Sequence, residues 1–321
     1  MSAVITAPNG LAEPRPDLAD AFREWNPAGV TYAYDTICPV AQAPTQSGQM
    51  EVETVDSLLT DDNIDRTAGG AFNMIDIELG KLNYAIRGKG LAIPFHYNDG
   101  RVLTFDFEQG AARRLRQKVD LHYEGTVATG LFAAAVPTTA ATAAWDVAAG
   151  VPLTDIETAI NAFYGRVGME PNALIINRRQ RGALATNPEI IGRFPGKDKV
   201  GWQDVVNSIG DLLGISQVIV STAISNTAAK GNVKALAPVF PDAHAAVALV
   251  APQGAPLEQA CVGRQLNWSD EGADDFIFEQ YYWQPTHSEI YRVRGQKEIN
   301  TMLREGATMQ DFLAQRIATG L

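Results

Sequence analysis

Residues 153–227 read LTDIETAINAFYGRVGMEPNALIINRRQRGALATNPEIIGRFPGKDKVGWQDVVNSIGDLLGISQVIVSTAISNT. Ile156, Ile160, Phe163 and Val167 recur at spacings of three and four, the helical period. Thr154 reads as the N-cap, with Glu157 three residues later closing a capping box. Gly168 stops the helix and Pro171 keeps it from resuming. Ala173–Ile176 is an apolar run of strand length, ended by Asn177. A short helix over Arg179–Ala185 follows, then the breaker Asn187-Pro188 and a helical turn over Glu189–Gly192. Trp202–Leu213 is helical again, closed by Gly214, and Ser216–Ser221 is a second apolar strand. The pattern predicts a compact α/β unit whose two strands are both apolar enough to be central.

The same block carries a resemblance. Gly168, then Pro171-Asn172-Ala173-Leu174-Ile175-Ile176, then Asn187-Pro188-Glu189-Ile190 stand in an ordered series. Leu213-Gly214-Ile215 before Val218-Ile219-Val220, and Ala223 with Asn226-Thr227-Ala228, complete it. In order and spacing the series resembles the axial domain of tailed-phage major capsid proteins. That family has an α+β fold with an axial domain, a peripheral domain with a long spine helix, an extended hairpin loop and an N-terminal arm. The resemblance divides this chain into an arm (1–48), an extended hairpin loop (49–81) and a peripheral domain with the spine helix (82–150). The axial domain (151–275), returning peripheral strands (276–305) and a C-terminal segment (306–321) follow.

The residues outside the block are read on their own chemistry. In the arm, Pro8, Pro14, Pro16, Pro27, Pro39 and Pro44 prevent long regular structure. One short helix fits between Asp17 and Trp25, with Leu18, Ala21, Phe22 and Trp25 on one side, facing either its own subunit or a neighbour. Met50, Val52 and Thr54, then Phe72, Met74, Ile75, Ile77 and Leu79, fit two strands around a polar tip carrying Asp61, Asp62, Asp65 and Arg66. Arg66-Thr67-Ala68-Gly69 resembles an Arg-Ala-Pro-Gly motif of the family's hairpin, with Ala68 in place of Pro. An isolated hairpin is marginal in water, so one this long needs a surface to dock on. Gly88-Lys89-Gly90 is a tight turn within 82–97; it lacks the spacing of a phosphate loop.

Phe107, Ala111, Leu115, Val119, Tyr123, Val127 and Leu131 recur every fourth residue, predicting the longest helix over 104–135. Its basic run, Arg113-Arg114-Leu115-Arg116-Gln117-Lys118, is flanked by Asp106, Glu108, Asp120 and Glu124, and reads as a solvated or subunit-facing stripe. Residues 136–151 are low in complexity, and Ala245–Val250 is strand-like. An aromatic hairpin over 276–299 turns near Pro285-Thr286. Met309, Phe312, Leu313 and Ile317 predict a short amphipathic helix at the end of the chain.

At 321 residues and 46% apolar, the chain can bury a large core. Cys38 and Cys261 form no CxxC pair and read as two buried thiols. The start of the chain lacks a basic-then-apolar leader, no run reaches the roughly 18 apolar residues that span a bilayer, and the sequon at Asn267 carries no weight. A net charge of −11 argues against DNA binding as the main task, since neutralising phosphates needs clustered Lys and Arg; it suits a container wall. Neither a nucleophile elbow nor a dinucleotide fingerprint is present. His96, His122, His244 and His287 share no ligand spacing, and Asp61, Asp62 and Asp65 lack the Gly and Glu register of a calcium loop. The expectation is no catalytic residue, no cofactor and no metal.

The resemblance implies a structural subunit that self-assembles into pentamers and hexamers, forming an icosahedral head around viral DNA. A scaffolding protein and a portal are the implied partners, with a decoration protein or protease in some relatives, and the implied place is the virion, built in the host cytoplasm. Interface candidates are Asp61, Asp62, Asp65 and Arg66 at the hairpin, Phe22 and Trp25 in the arm, and Arg113 and Arg114 on the spine. Some relatives crosslink a hairpin Lys to a neighbour's Asn; residues 49–80 contain no Lys, and Lys81 and Lys89 lie at the base or beyond. An encapsulin-like compartment shell is the alternative, and a soluble α/β enzyme a third reading. The arm, hairpin and helix stripe favour a shell, because neighbours would cover them.

Overall fold

The computed structural model describes residues 12–25, 27, 29–53, 61, 64–65, 72–74, 79–96, 107–194, 200–229, 231–257, 259–268, 276–301 and 313–321. A two-residue strand β1 (Glu13–Pro14) leads into α1 (Pro16–Glu24), the single turn α2 (Tyr34–Ile37) and β2 (Val40–Gln42). β3 (Ser47–Glu53), β4 (Leu79–Ala85) and β5 (Lys89–His96) precede the long helix α3 (Phe107–Leu131). Then come β6 (Thr138–Ala140), α4 (Pro152–Val167), β7 (Ala173–Asn177), α5 (Arg178–Thr186), α6 (Pro188–Ile191), α7 (Trp202–Leu213) and β8 (Gln217–Ser221). Strands β9 (Ile224–Asn226), β10 (Leu236–Pro238), β11 (His244–Ala248) and β12 (Gly263–Asn267) follow. The chain continues through β13 (Ile277–Trp283), β14 (Ser288–Gly295), β15 (Lys297–Thr301) and β16 (Ala314–Ala318).

The opening block folds around a five-stranded sheet of order β6-β16-β11-β7-β8. β7 runs parallel to β8, with Ile175 beside Ile219, and antiparallel to β11, with Ile175 beside Ala246. All five residues of β7 are buried. Its alternate side chains join different cores: Leu174 and Ile176 pack with Ile156, Leu184, Ile190 and Ile209 from the helices of the block, whereas Ala173 and Ile175 join the cluster built on α3. Burial on both faces explains the continuous apolar run. β8 differs from expectation. It lies at the sheet edge with Val218 half-buried, so one of the two strands is central and the other is not.

The start of α4 is also corrected. Pro152 occupies the first turn and Val151 caps without a side-chain bond. The carboxylate of Glu189 on α6 takes the Leu153 N–H at 2.8 Å and the Thr154 hydroxyl at 3.0 Å. Thr154 and Glu157 therefore form no capping box: Pro supplies the helical φ, and a carboxylate distant in sequence takes the orphan N–H. A reciprocal box does form one element later, where Asn177 and Gln180 exchange backbone and side-chain bonds, both at 2.9 Å. Gly168 and Gly214 end α4 and α7 in the left-handed conformation, φ 74° and 68°.

The end of the chain is a strand, β16, rather than the predicted helix. β16 is inserted between β11, with Ile317 opposite Ala245, and β6, with Ile317 beside Thr139. Met309 and Phe312 of the predicted stripe lie outside the described residues. Ile317 is fully buried, and pairing with segments distant in sequence overrides the local helical spacing.

The 25-residue α3 buries Ala111, Leu115, Val119, Tyr123, Val127 and Leu131 along one face, as the spacing predicts. Against it lies a four-stranded sheet of order β1-β13-β14-β5, the aromatic hairpin forming its centre. β13 and β14 pair from Ile277–Arg294 to Trp283–Ser288 and turn through Gln284–Thr286. A Cβ at Gly90 would meet the Val293 carbonyl at 3.0 Å, so this Gly admits β5 to the edge of β14. Gly90, with Lys89, thus belongs to β5, and the turn of the 82–97 stretch falls just before them.

Candidate assembly surfaces

Ser288 Oγ lies 2.7 Å from His96 Nδ1, but Ser288 is fully buried and also donates to the Thr286 carbonyl at 3.0 Å, so no nucleophile is presented. Among the described residues, no group of three His, Cys, Asp or Glu side chains is placed to hold a metal ion, and no helix is long and apolar enough to cross a membrane. Cys38 and Cys261 are free and buried, and burial pushes both thiols up, Cys38 well above its ordinary range. Such thiols are poor nucleophiles.

The expected interface residues separate into two groups. Phe22 is a correction: it is 1% exposed and packs inside its own subunit, its ring 5.9 Å from Phe276 and 6.5 Å from Phe278. Arg116 of α3 lies 5.5 Å above the same ring. A residue so enclosed has no surface left for a neighbour. The stripe on α1 therefore faces its own subunit at Leu18 and Phe22, while Trp25 is half-buried at the helix end. Arg113 and Arg114, by contrast, lie on the solvent side of α3 together with Lys118.

The hairpin is rooted by β3 and β4, paired from Ser47–Ala85 to Glu53–Leu79. Met50, Leu82 and Tyr84 fix its base against Ala43, Ala251, Cys261 and Leu266. Beyond the base, Asp61 and Asp65 are exposed, as are Ile64 (91%), Phe72 (74%) and Met74 (98%). Asp62 and Arg66 lie outside the described residues.

Two features leave little trace in the sequence. One is a small projecting ribbon, β9 paired with β10, bearing exposed Ile224, Leu236 and, at its tip, Val233. Asn226 Oδ1 organises its loop by accepting the N–H groups of Ala228 and Ala235 at 3.2 and 3.0 Å. Asn226 and Thr227 were the available signal. A cleft of about 360 Å³ lies between this ribbon and the start of α5, lined by Arg178, Arg179, Ile224 and Asp242 among others. The other is a buried acidic joint at Asp120 and Glu124, which sequence alone showed only as charges beside a basic run. Asp120 pairs with Arg116 at 2.9 Å and accepts the Tyr34 hydroxyl at 2.7 Å.

Neither a protein-family model nor a curated protein matches the sequence. Solved structures do. A phage-related protein from Bordetella bronchiseptica aligns with a TM-score of 0.68 at 19% identity, over 96% of this chain and 97% of its own. The capsid of the cyanophage P-SCSP1u aligns at 0.54 and 13% identity, over 92% and 90%. The chain has the tailed-phage capsid protein fold. A virus-like particle from Pyrococcus furiosus shares it, with a TM-score of 0.56 at 11% identity over 94% and 96%. The α+β organisation that the resemblance implies holds for the chain as a whole.

Proposed function

We propose that the chain is the structural subunit of an icosahedral shell: many copies, pentamers and hexamers, no reaction catalysed. What supports the reading most is coverage. The alignment to the cyanophage capsid takes in nine-tenths or more of both chains, which leaves little of this chain for a separate task. In this reading the five-stranded unit is the axial domain, meeting its copies at the capsomer centre. The α3 unit is the peripheral domain, and the exposed apolar and acidic residues of the hairpin, with Arg113 and Arg114, contact neighbours. The shell would form in the host cytoplasm with a scaffolding protein and portal, enclose DNA without reading its sequence, and persist as the virion.

The test is light scattering on the purified full chain, with negative-stain imaging. Megadalton particles or capsomers agree; a stable monomer under all conditions, scaffolding protein included, overturns the reading. A compartment shell enclosing a protein is the second reading, favoured by the likeness to the Pyrococcus particle. Particles isolated from the native source decide between the two by holding DNA or a protein cargo.

The shell would hold together without covalent crosslinks. Lys81 stands in β4 opposite Glu51, and Lys89 is already engaged with Glu298 at 3.0 Å and with the Tyr123 ring at 5.1 Å. Boiled, reduced particles should run as one band at the 34.6 kDa subunit mass, and a ladder of rings would refute this.

A further inference from the structure

Glu124 lies on α3 with no exposed surface. Its Oε2 accepts the backbone N–H groups of Ala33 and Tyr34, both at 2.9 Å, and its Oε1 accepts the Ser221 hydroxyl. These partners belong to different parts of the molecule: the segment entering α2, and the last residue of β8. A second staple lies alongside, where Thr222 N–H donates to the Thr31 carbonyl at 3.0 Å and Thr31 N–H to Thr222 Oγ1 at 2.7 Å. Residues 31–34 are thus held between the long helix and the five-stranded sheet, and one carboxylate touches both.

The groups facing this carboxylate are few. From α3 come Asp120 and Arg116, already paired with each other. From the arm come Tyr32, Tyr34, Asp35 and Cys38. From β8 comes only the neutral Ser221. Among the described residues no cation pairs with Glu124. Burial pushes it up to about 6 against the pull of its three donors, and the Asp35 charge adds to the rise. Burial also raises Asp120, against Arg116 and Tyr34.

We propose that Glu124 is a proton-operated latch on the arm, gripping Ala33 and Tyr34 when ionised and loosening them when protonated. The proton comes from solvent. On Oε1 it reverses the bond to Ser221, so that the carboxyl donates to Oγ. On Oε2 it takes a lone pair that an arm N–H was using. With the proton on Oε1 the two arm bonds become neutral ones, which are about half as strong; with it on Oε2 one arm bond is lost and the other becomes neutral. The latch operates in the single subunit and stands whether or not the chain forms a shell.

Hydrogen exchange on the purified full chain from pH 8 to 5, corrected for the intrinsic pH dependence, tests it. The amides of Ala33 and Tyr34 should lose about fivefold in protection across the transition near pH 6, the difference between a charged and a neutral acceptor. Peptides from β7 should not change. Glu124→Gln preserves an oxygen for the two N–H groups and should abolish the step, while Asp120→Asn should keep it. If Glu124→Gln does not fold, the wild type and Asp120→Asn still decide. No step in the wild type, or a step lost in Asp120→Asn, overturns the proposal.

Discussion

Arg316 donates from Nη1 to the carbonyl of Phe132 at 3.0 Å, joining the last strand of the chain to the C-terminal end of its longest helix. Its Nε reaches the Val136 carbonyl at 3.1 Å. One guanidinium therefore ties down two carbonyls of the segment that follows α3. Arg316→Ala should destabilise the subunit by about 1–3 kcal/mol in urea unfolding. Arg316→Lys should not restore it, because a single ammonium lacks the planar fork that spans both carbonyls. Full rescue by Lys would show that charge alone matters.

Ile175 and Val218 lie on adjacent strands but differ in enclosure. Ile175 is 0% exposed in central β7, whereas Val218 is half-buried on edge strand β8. Ile175→Ala should cost about 2–4 kcal/mol and yield insoluble protein, with Val218→Ala nearer 1 kcal/mol. Equal losses, measured by chemical denaturation, would contradict the edge placement.

In the proposed shell, Met74 would separate stability from association. At 98% exposure it contributes almost nothing to the subunit, so Met74→Ser should leave the unfolding midpoint within about 0.5 kcal/mol of the parent. The yield of assembled particles should fall. A Met74→Ser chain that unfolds like Ile175→Ala would place the hairpin in the core.

The pH dependence of stability has a definite sign. Glu124 binds its proton more tightly folded than unfolded, so its contribution grows as pH falls from above 6 toward the ordinary 4.5, by about 2 kcal/mol. The global fold thus gains from neutralising a buried charge even as the local grip on the arm weakens. Burial acts to raise Glu279 as well, but Arg294 and Arg292 outweigh it and hold this carboxylate below its ordinary range. Its stabilisation is lost only at more acidic pH. Urea midpoints between pH 8 and 4.5 should rise on acidification in the wild type and rise less in Glu124→Gln, where only Asp120 still contributes in that direction; a fall over that window in the wild type would refute the assignment.

Where local spacing carried the information, the sequence determined the element. The every-fourth-residue stripe from Ala111 to Leu131 is the buried face of α3, Trp202–Leu213 is α7, and the aromatic alternation from Phe276 became the β13–β14 hairpin. Side chains three and four apart on a helix, or two apart on a strand, share a face whatever surrounds them, so such patterns can be read without the fold. Only the tertiary structure decided which faces met. It made Ala314–Ala318 a strand by offering β6 and β11 on either side, and placed β8 at an edge. It also enclosed Phe22 under β13, gave α4 a cap from Glu189, and turned Glu124 from a helix charge into the joint of three segments. Each of these rests on partners far apart in sequence, and pairing at that distance leaves no period along the chain.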